Sequence, residues 1–145
     1  MTSPSETPLP LPCACANLRR AARAVTRMYN HELRPEALEI TQFTLLMALD
    51  RIGETSQGKL GEILALDSTT LTRMLKPLVK RGWVHAEEGR DRRLRIFRLT
   101  TAGREKLRQS HRGWKRAQER LRIAVGDKTM NELPALLAEV AQALA

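Results

Sequence analysis

Five arginines lie within nine residues of one another near the middle of the chain, at positions 90, 92, 93, 95 and 98. The stretches WVHAEE and RLRIFRLT flank the turn sequence GRD and predict a two-stranded hairpin. A hairpin this small cannot bury five guanidinium groups, so they face water or a polyanion. Because the planar guanidinium fork matches phosphate geometry, the hairpin favours a nucleic-acid partner over a merely solvated basic arm.

The whole chain is strongly basic. Its 145 residues carry a formal net charge of +9, and 19 of the 25 basic residues are arginine. This excess of positive charge indicates an anionic partner, either nucleic acid or an anionic membrane surface. No apolar run approaches the ~20 residues that a membrane span needs. The N-terminus also lacks the pattern of a signal peptide, so we expect a cytoplasmic protein without membrane contact.

Aromatic residues make up only 3% of the chain. Proteins that bind RNA or single strands by base stacking need a platform of aromatic rings, whereas proteins that bind a duplex do not. Double-stranded DNA is therefore the predicted partner. A winged-helix module that binds protein or RNA is the alternative.

The order of helical and extended patterns predicts a mostly α fold with a small β-wing. After a proline-rich arm, apolar residues recur at helical spacing over 17–33 and 41–52. Two shorter helices come next, and the first is capped by Ser56 and carries Leu60, Ile63 and Leu64 on its inner face. The second begins near Asp67 and precedes the hairpin. This order is that of a winged helix–turn–helix flanked by further helices.

The pattern predicts a disordered arm over residues 1–12 and a single domain over 13–145. Within the domain, the winged helix–turn–helix spans about 37–100. The flanking helices, at about 13–34 and 101–145, carry apolar stripes at heptad-like spacing that a lone subunit would expose. We therefore expect these helices to form a homodimer.

The second helix of the pair, in DSTTLTRMLKPLVKRGW, combines an apolar side with a polar one. Short hydroxyl side chains at a helix N-terminus can approach base edges closely, and an arginine one turn later can reach guanine. The predicted DNA contacts on this helix are Ser68, Thr69, Thr70, Thr72, Arg73 and Lys76.

On the hairpin, we expect the tip to enter the minor groove, where narrow A·T tracts concentrate negative potential. Arg92 is the predicted inserted side chain, and Asp91 is expected to pair with a nearby arginine and fix the tip geometry. The predicted phosphate contacts are Arg90, Arg93 and Arg95.

Three stretches together resemble the MarR (multiple-antibiotic-resistance regulator) family: TQFTLLMALDRIG, LGEILALDSTTLTRMLKPLVKRGWV and GRDRRLRIFRLTTAGRE. The most specific feature is the wing motif containing Asp91 and Arg92, followed by L-T-x-x-G at Leu99, Thr100 and Gly103. The resemblance covers about residues 13–145. The stretch CACANLRRAARAVTRMYN is similar to a subgroup that opens with C-x-C before its first helix.

The resemblance implies a homodimer whose terminal helices intertwine and whose winged parts bind a pseudo-palindromic operator in double-stranded DNA. By position, the recognition helix is residues 67–81 and the wing is residues 87–98. The resemblance also implies a transcriptional regulator, most often a repressor, that releases DNA when a small phenolic ligand binds or a cysteine is oxidised. No cofactor is implied.

Cys13 and Cys15 lie where the first helix begins, near Arg19 and Arg20. A helix N-terminus and local cations favour reactive thiolates, so redox sensing is one hypothesis. Soft-metal binding is a weaker one, because the three histidines show no ligand spacing, and we predict no metal site. Plain packing at the helix start is the third interpretation.

Four aromatic residues could line a ligand pocket between the helical and winged parts, although large aromatics at helical spacing also suit a plain core. They are Tyr29, Phe43, Trp83 and Trp114. The sequence contains no nucleophile–base pairing, glycine-rich phosphate loop or metal-ligand motif. We therefore predict no catalytic residues and no enzyme activity.

Overall fold

The computed structural model describes residues 9–91 and 94–145. The elements in chain order are α1 (Ala14–Leu33), a 3₁₀ turn (Arg34–Glu36), α2 (Ile40–Ile52), β1 (Thr55–Ser56), α3 (Gln57–Leu64), α4 (Ser68–Lys80), β2 (Val84–Glu88), β3 (Arg95–Leu99), α5 (Thr101–Val125) and α6 (Asp127–Ala143). The predicted mostly α winged helix–turn–helix is confirmed. Within the described residues, no helix combines the length and the apolar character needed to cross a membrane.

The wing belongs to a three-stranded antiparallel sheet in the order β1-β3-β2, not to an isolated two-stranded hairpin as predicted. The added strand β1 has only two residues, and Thr55 pairs with Phe97. Two residues cannot show an alternating pattern, so the sequence carried no signal for this strand. Its pairing joins the start of α3 directly to the wing.

The core lies where α2, α3 and α4 pack against the inner face of the sheet. The fully buried side chains include Phe43, Leu60, Leu71, Leu78 and Val84. Ile63, predicted to face inward, is instead 49% exposed. The other two positions predicted on this face agree with the structure, because Leu60 is buried and Leu64 packs against the core, so only Ile63 departs from the expected inner face of α3.

Two ion pairs link helix α1 to α5. Glu32 accepts from Arg116 Nε at 3.3 Å and from Arg120 Nη1 at 3.1 Å. These two guanidiniums, Arg120 foremost, hold the pKa of the Glu32 carboxyl below its usual range. Next to this cluster Gly113 packs against the Glu32 carbonyl, so the two helices approach closely at that point.

The start of α5 is docked onto the turn that follows α4. Thr100 donates its hydroxyl to the Gly82 carbonyl at 2.6 Å and accepts from the Gly103 amide at 3.0 Å. A Cβ placed on Gly103 would lie 2.0 Å from the Trp83 carbonyl oxygen. The L-T-x-x-G stretch is therefore a packing junction between the wing, the end of α4 and the start of α5.

The Trp83 ring covers this junction between two cations. The Arg81 guanidinium lies 5.0 Å and the Lys106 ammonium 5.3 Å from the ring centroid. The same two side chains donate to the backbone carbonyls of Ala37 and Glu36. The two cations beside the Trp83 ring thus connect the end of the 3₁₀ turn with the end of α4 and the start of α5.

Replacing Gly103 by Ala tests this close approach. We expect Gly103→Ala to lower the free energy of unfolding by about 3 kcal/mol, because the new methyl group meets backbone that cannot move cheaply. The measurement is urea unfolding at one fixed protein concentration.

The matched control is Gly58→Ala in α3, where a Cβ would meet nothing within 4 Å. We expect this control to raise the free energy of unfolding by about 0.5–1 kcal/mol, since alanine is the better helix former. Equal stabilities of the two variants would contradict the packing described for Gly103.

Candidate nucleic-acid interface

Helix α4 begins at a strong N-cap. Asp67 accepts from the Thr70 amide at 2.8 Å and from the Thr70 hydroxyl at 2.7 Å. These bonds, the backbone one foremost, hold the pKa of the Asp67 carboxyl below its ordinary value. The Thr70 amide at the start of α4 is therefore bonded within the chain, and the outer surface of the helix remains exposed.

The outer face of α4 carries most of the residues predicted from the sequence. Leu71, Leu75 and Leu78 are buried on the opposite face. The exposed side chains among the predicted contacts are Ser68, Thr69, Thr72, Arg73 and Lys76. Thr70 differs, because it is half-buried and its hydroxyl is bonded to the cap. Thr70 is therefore part of the N-cap of α4, through its amide and hydroxyl bonds to Asp67.

A groove of about 610 Å³ separates α4 from the wing. Ser68 and Thr72 line it from α4, Leu94 and Arg95 from the wing, and Gln57 from the start of α3. The groove brings the first turn of α4 and the wing arginine to one opening. An extended polyanion strand is the kind of group that such an opening can accommodate.

Strand alternation divides the wing arginines. Arg95 pairs in register with Glu88, and its guanidinium lies 5.7 Å from the Phe97 ring on the groove side. Arg98 pairs with His85 and stands one residue out of phase with Arg95, so it points to the other face of the sheet. The spacing of three residues between Arg95 and Arg98 places them on opposite faces of any regular strand.

The wing tip is described only in part. The Gly89 amide donates to the Leu94 carbonyl at 2.6 Å, and the Leu94 amide donates to the Asp91 carbonyl at 2.8 Å. Arg90 is exposed beside this turn. Arg92 and Arg93 lie outside the described residues, so the predicted minor-groove insertion, the predicted phosphate contact of Arg93 and the ion pair expected for Asp91 all stay predictions.

Sequence reasoning missed Gln57. Ser56 caps α3 by accepting from the Lys59 amide at 3.2 Å, so Gln57 is the first residue of that helix. Its side chain reaches α4 and donates to the Thr72 hydroxyl at 2.7 Å. A glutamine directly after a helix-capping serine was the only signal for it, and that signal does not indicate which helix the side chain contacts.

Both cysteines are exposed free thiols at the start of α1. Cys13 is the N-cap residue, and its side chain makes no cap hydrogen bond. A cavity of about 340 Å³ is lined by both cysteines together with three arginines, Arg19, Arg20 and Arg23. Among the described residues, no group of three or more histidine, cysteine or acidic side chains is placed to hold a metal ion.

The four aromatic candidates are spread over the fold. Phe43 stacks on Trp114 with ring centroids 6.0 Å apart, within and beside the core. Tyr29 is buried and donates its hydroxyl to Gln118. Trp83 lies at the junction described above. The structure brings Phe43 and Trp114 together, and a ligand pocket lined by all four stays a prediction.

The Asp67 cap gives a pH-dependent prediction. A carboxyl whose pKa is lowered by folding contributes stability above its unfolded pKa, and this contribution is lost as the pH falls through the lower folded value. At pH 7 we expect Asp67→Ala to have a lower free energy of unfolding than the wild type. Below about pH 3, which is under the ordinary pKa of Asp, the two free energies should converge.

Urea unfolding at both pH values measures this difference. Asp67→Asn keeps an acceptor oxygen for the Thr70 amide, so this control should be destabilised less than Asp67→Ala at pH 7. An Asp67→Ala variant as stable as the wild type at pH 7 would show that the cap contributes nothing.

Known proteins with this architecture match the chain in sequence. The profile of the MarR family matches residues 38–94. The HTH-type transcriptional regulator YwoH of Bacillus subtilis is 29% identical over 92 residues, which is 63% of this chain and 67% of YwoH. Across the curated relatives compared, the chain spans 57% to 67% of their length.

Solved structures extend the likeness to the flanking helices. MosR, a transcriptional regulator from M. tuberculosis crystallised in complex with DNA, is 32% identical with a TM-score of 0.79, over 91% of this chain and 98% of MosR. A mutant of MarR from E. coli complexed with operator DNA is 26% identical with a TM-score of 0.77, over 87% and 91% of the two chains. The resemblance predicted from the sequence is confirmed, and the chain belongs to the MarR family of winged helix–turn–helix transcriptional regulators.

Proposed function

We propose that this regulator is a homodimeric repressor that binds a pseudo-palindromic operator in double-stranded DNA. Helix α4 enters the major groove and the wing enters the adjacent minor groove. The observation that carries this proposal is the single opening shared by the hydroxyl face of α4 and Arg95. The DNA-bound states of MosR and of the MarR mutant support the same use of the fold.

The charges around the opening suit a nucleic-acid strand. Residues 68–80 include Arg73, Lys76 and Lys80 and contain no acidic residue. Glu62 borders the groove from α3, where it pairs with Lys59 at 3.8 Å. The acidic group at the start of the helix, Asp67, is engaged in its cap. Phosphates approaching α4 therefore meet cations and hydroxyl groups.

The terminal helices support a homodimer. Helix α6 has no buried residue in the single chain. The exposed apolar side chains of α1, α5 and α6, together with the residue that follows α6, include Leu18, Ile123, Val125, Leu136, Leu137, Val140 and Leu144. A second copy that covers this surface would place two α4 helices about one DNA turn apart, roughly 34–36 Å. The domain division predicted from the sequence, with dimerisation helices on both sides of the winged part, is part of this proposal.

We further propose thiol oxidation as the signal for release, with a small phenolic ligand as the alternative. The exposed Cys13 and Cys15 thiols beside three arginines support the redox form. A peroxide would oxidise one thiol to a sulfenic acid with release of water, and a second thiol would then displace water to form a disulfide. A bridge between residues two apart would be strained, so we expect the disulfide to link subunits.

A regulator of this kind acts by binding DNA and catalyses no reaction. Its operator lies in the cytoplasm, so the regulator acts there. The expected absence of enzyme activity and the cytoplasmic location are parts of the same proposal. They rest on membership of a family of transcriptional regulators.

Selection of bound duplexes from a random pool tests the function. We expect enrichment of a two-fold symmetric site with half-sites about one turn apart, and affinity that falls steeply with salt. Arg95→Ala should weaken binding to all sequences and reduce the magnitude of the salt slope by about one, as expected for one lost phosphate contact.

The matched control is Arg98→Ala, which removes a charge of the same strand from the other face of the sheet. It should change the affinity less than Arg95→Ala. A pool without enrichment would refute the proposed function, and equal losses for the two variants would refute the placement of Arg95 against DNA.

Oxidation of the purified protein tests the signal. Peroxide treatment should release the selected duplex and produce a cross-linked dimer on a non-reducing gel, and thiol reductant should reverse both effects. The Cys13→Ser, Cys15→Ser double variant should bind the duplex as the wild type does and ignore peroxide. Release from this double variant would show that the cysteines are not the sensor.

A further inference from the structure

The side chain of Gln57, the first residue of α3, connects the start of that helix to α4. Strand β1 pairs with β3 immediately before Gln57, and Ser56 caps α3 at the same point, so the backbone of Gln57 is fixed from both sides. From there its amide nitrogen reaches α4. It lies 2.7 Å from the Thr72 hydroxyl, 3.3 Å from the Ser68 carbonyl and 3.4 Å from the Ser68 hydroxyl.

The chemistry of these partners fixes the orientation of the amide. The Ser68 carbonyl can only accept, so the end of the Gln57 amide that faces it is the NH₂ group, which can only donate. The Thr72 hydroxyl consequently accepts a hydrogen bond from Gln57.

The proton of the Thr72 hydroxyl is directed elsewhere. Thr72 donates it to the Ser68 carbonyl, one turn back along α4, at 2.9 Å. A hydroxyl has one proton and two lone pairs, and here the proton and one lone pair are used within the protein. Because Thr72 is exposed, the second lone pair is left for a donor from outside the chain, and with its proton engaged the hydroxyl can act toward DNA only as an acceptor.

In the major groove, exocyclic amines are the hydrogen-bond donors of the bases. They are N6 of adenine and N4 of cytosine, whereas the groove edges of guanine and thymine offer only acceptors and a methyl group. We propose that Gln57 is a positioning residue that fixes the Thr72 hydroxyl as an acceptor, so that the protein selects adenine or cytosine on the strand facing Thr72 at one position of each half-site. This inference rests on the proposed binding of α4 in the major groove.

Base preferences of variants test the inference. The wild type, Thr72→Val and Gln57→Ala are each used to select duplexes from the same random pool, and relative affinities are then measured on the four single-base variants of the site. We expect Thr72→Val to reduce the preference for adenine or cytosine about fivefold to tenfold at one position per half-site. Gln57→Ala should reduce the preference at that same position.

Double-variant measurements separate positioning from direct contact. If Gln57 acts through Thr72, the Gln57→Ala, Thr72→Val double variant discriminates bases no worse than Thr72→Val alone. Gln57→Met retains the length of the side chain without its donors and should behave as Gln57→Ala does. Gln109→Ala, an exposed glutamine on α5, is the matched control and should leave every base preference unchanged.

Three results would overturn the inference. One is a Gln57→Ala variant that loses affinity equally for all bases, and another is a change at a position that Thr72→Val leaves untouched, which would indicate a direct base contact by Gln57. The third is an unchanged preference in both Gln57 variants. A wild-type protein that selects no duplex would instead refute the proposed function itself, before Gln57 is tested.

Discussion

The relative positions of the wing, α4 and α5 depend on one backbone contact, between the start of α5 and the carbonyl of Trp83. It exists because residue 103 has no side chain, and the Thr100 hydroxyl bonds the same turn from the other side. Through this contact the wing, the end of α4 and the start of α5 occupy fixed relative positions. Because α5 also carries the ion pairs to Glu32, α1 is held by the same framework. A second subunit docked on the terminal helices would therefore set the separation of the two α4 helices.

The outer face of α4 is prepared for a partner by bonds made inside the chain. Its apolar side is buried, its Thr70 amide is bonded to Asp67, and the Thr72 hydroxyl accepts a hydrogen bond from Gln57. Polar groups that are already oriented lose less conformational entropy on binding and present a defined pattern of donors and acceptors. Arg73 and Lys76, by contrast, extend from the same face as long flexible cations. In the proposed interface, the bonded hydroxyl would recognise a base and the two long cations would contact phosphates.

Much of this fold followed from local patterns in the sequence. The amphipathic spacing of Leu71, Leu75 and Leu78 predicted α4 and its exposed face, and the turn after Glu88 predicted the wing. Strand β1 could not be predicted, because two residues form a strand only when the edge of β3 is available to pair with them. The exposure of Ile63 and the bond of Thr70 to Asp67 depend on how α3 and α4 meet, which spacing along one helix does not determine. Gln57 was missed for the same reason, since its partner Thr72 lies on another helix.

Amide hydrogen exchange with and without a selected duplex tests most directly whether the exposed face of α4 is the DNA-binding surface. The first-turn amides of a helix have no partner within the helix and exchange quickly when free. On addition of the duplex, exchange should slow over residues 68–72 and in the wing strands, at 84–88 and 95–99, while α6 remains unchanged. Slowed exchange confined to α5 and α6, with no change at the start of α4, would contradict the proposed interface.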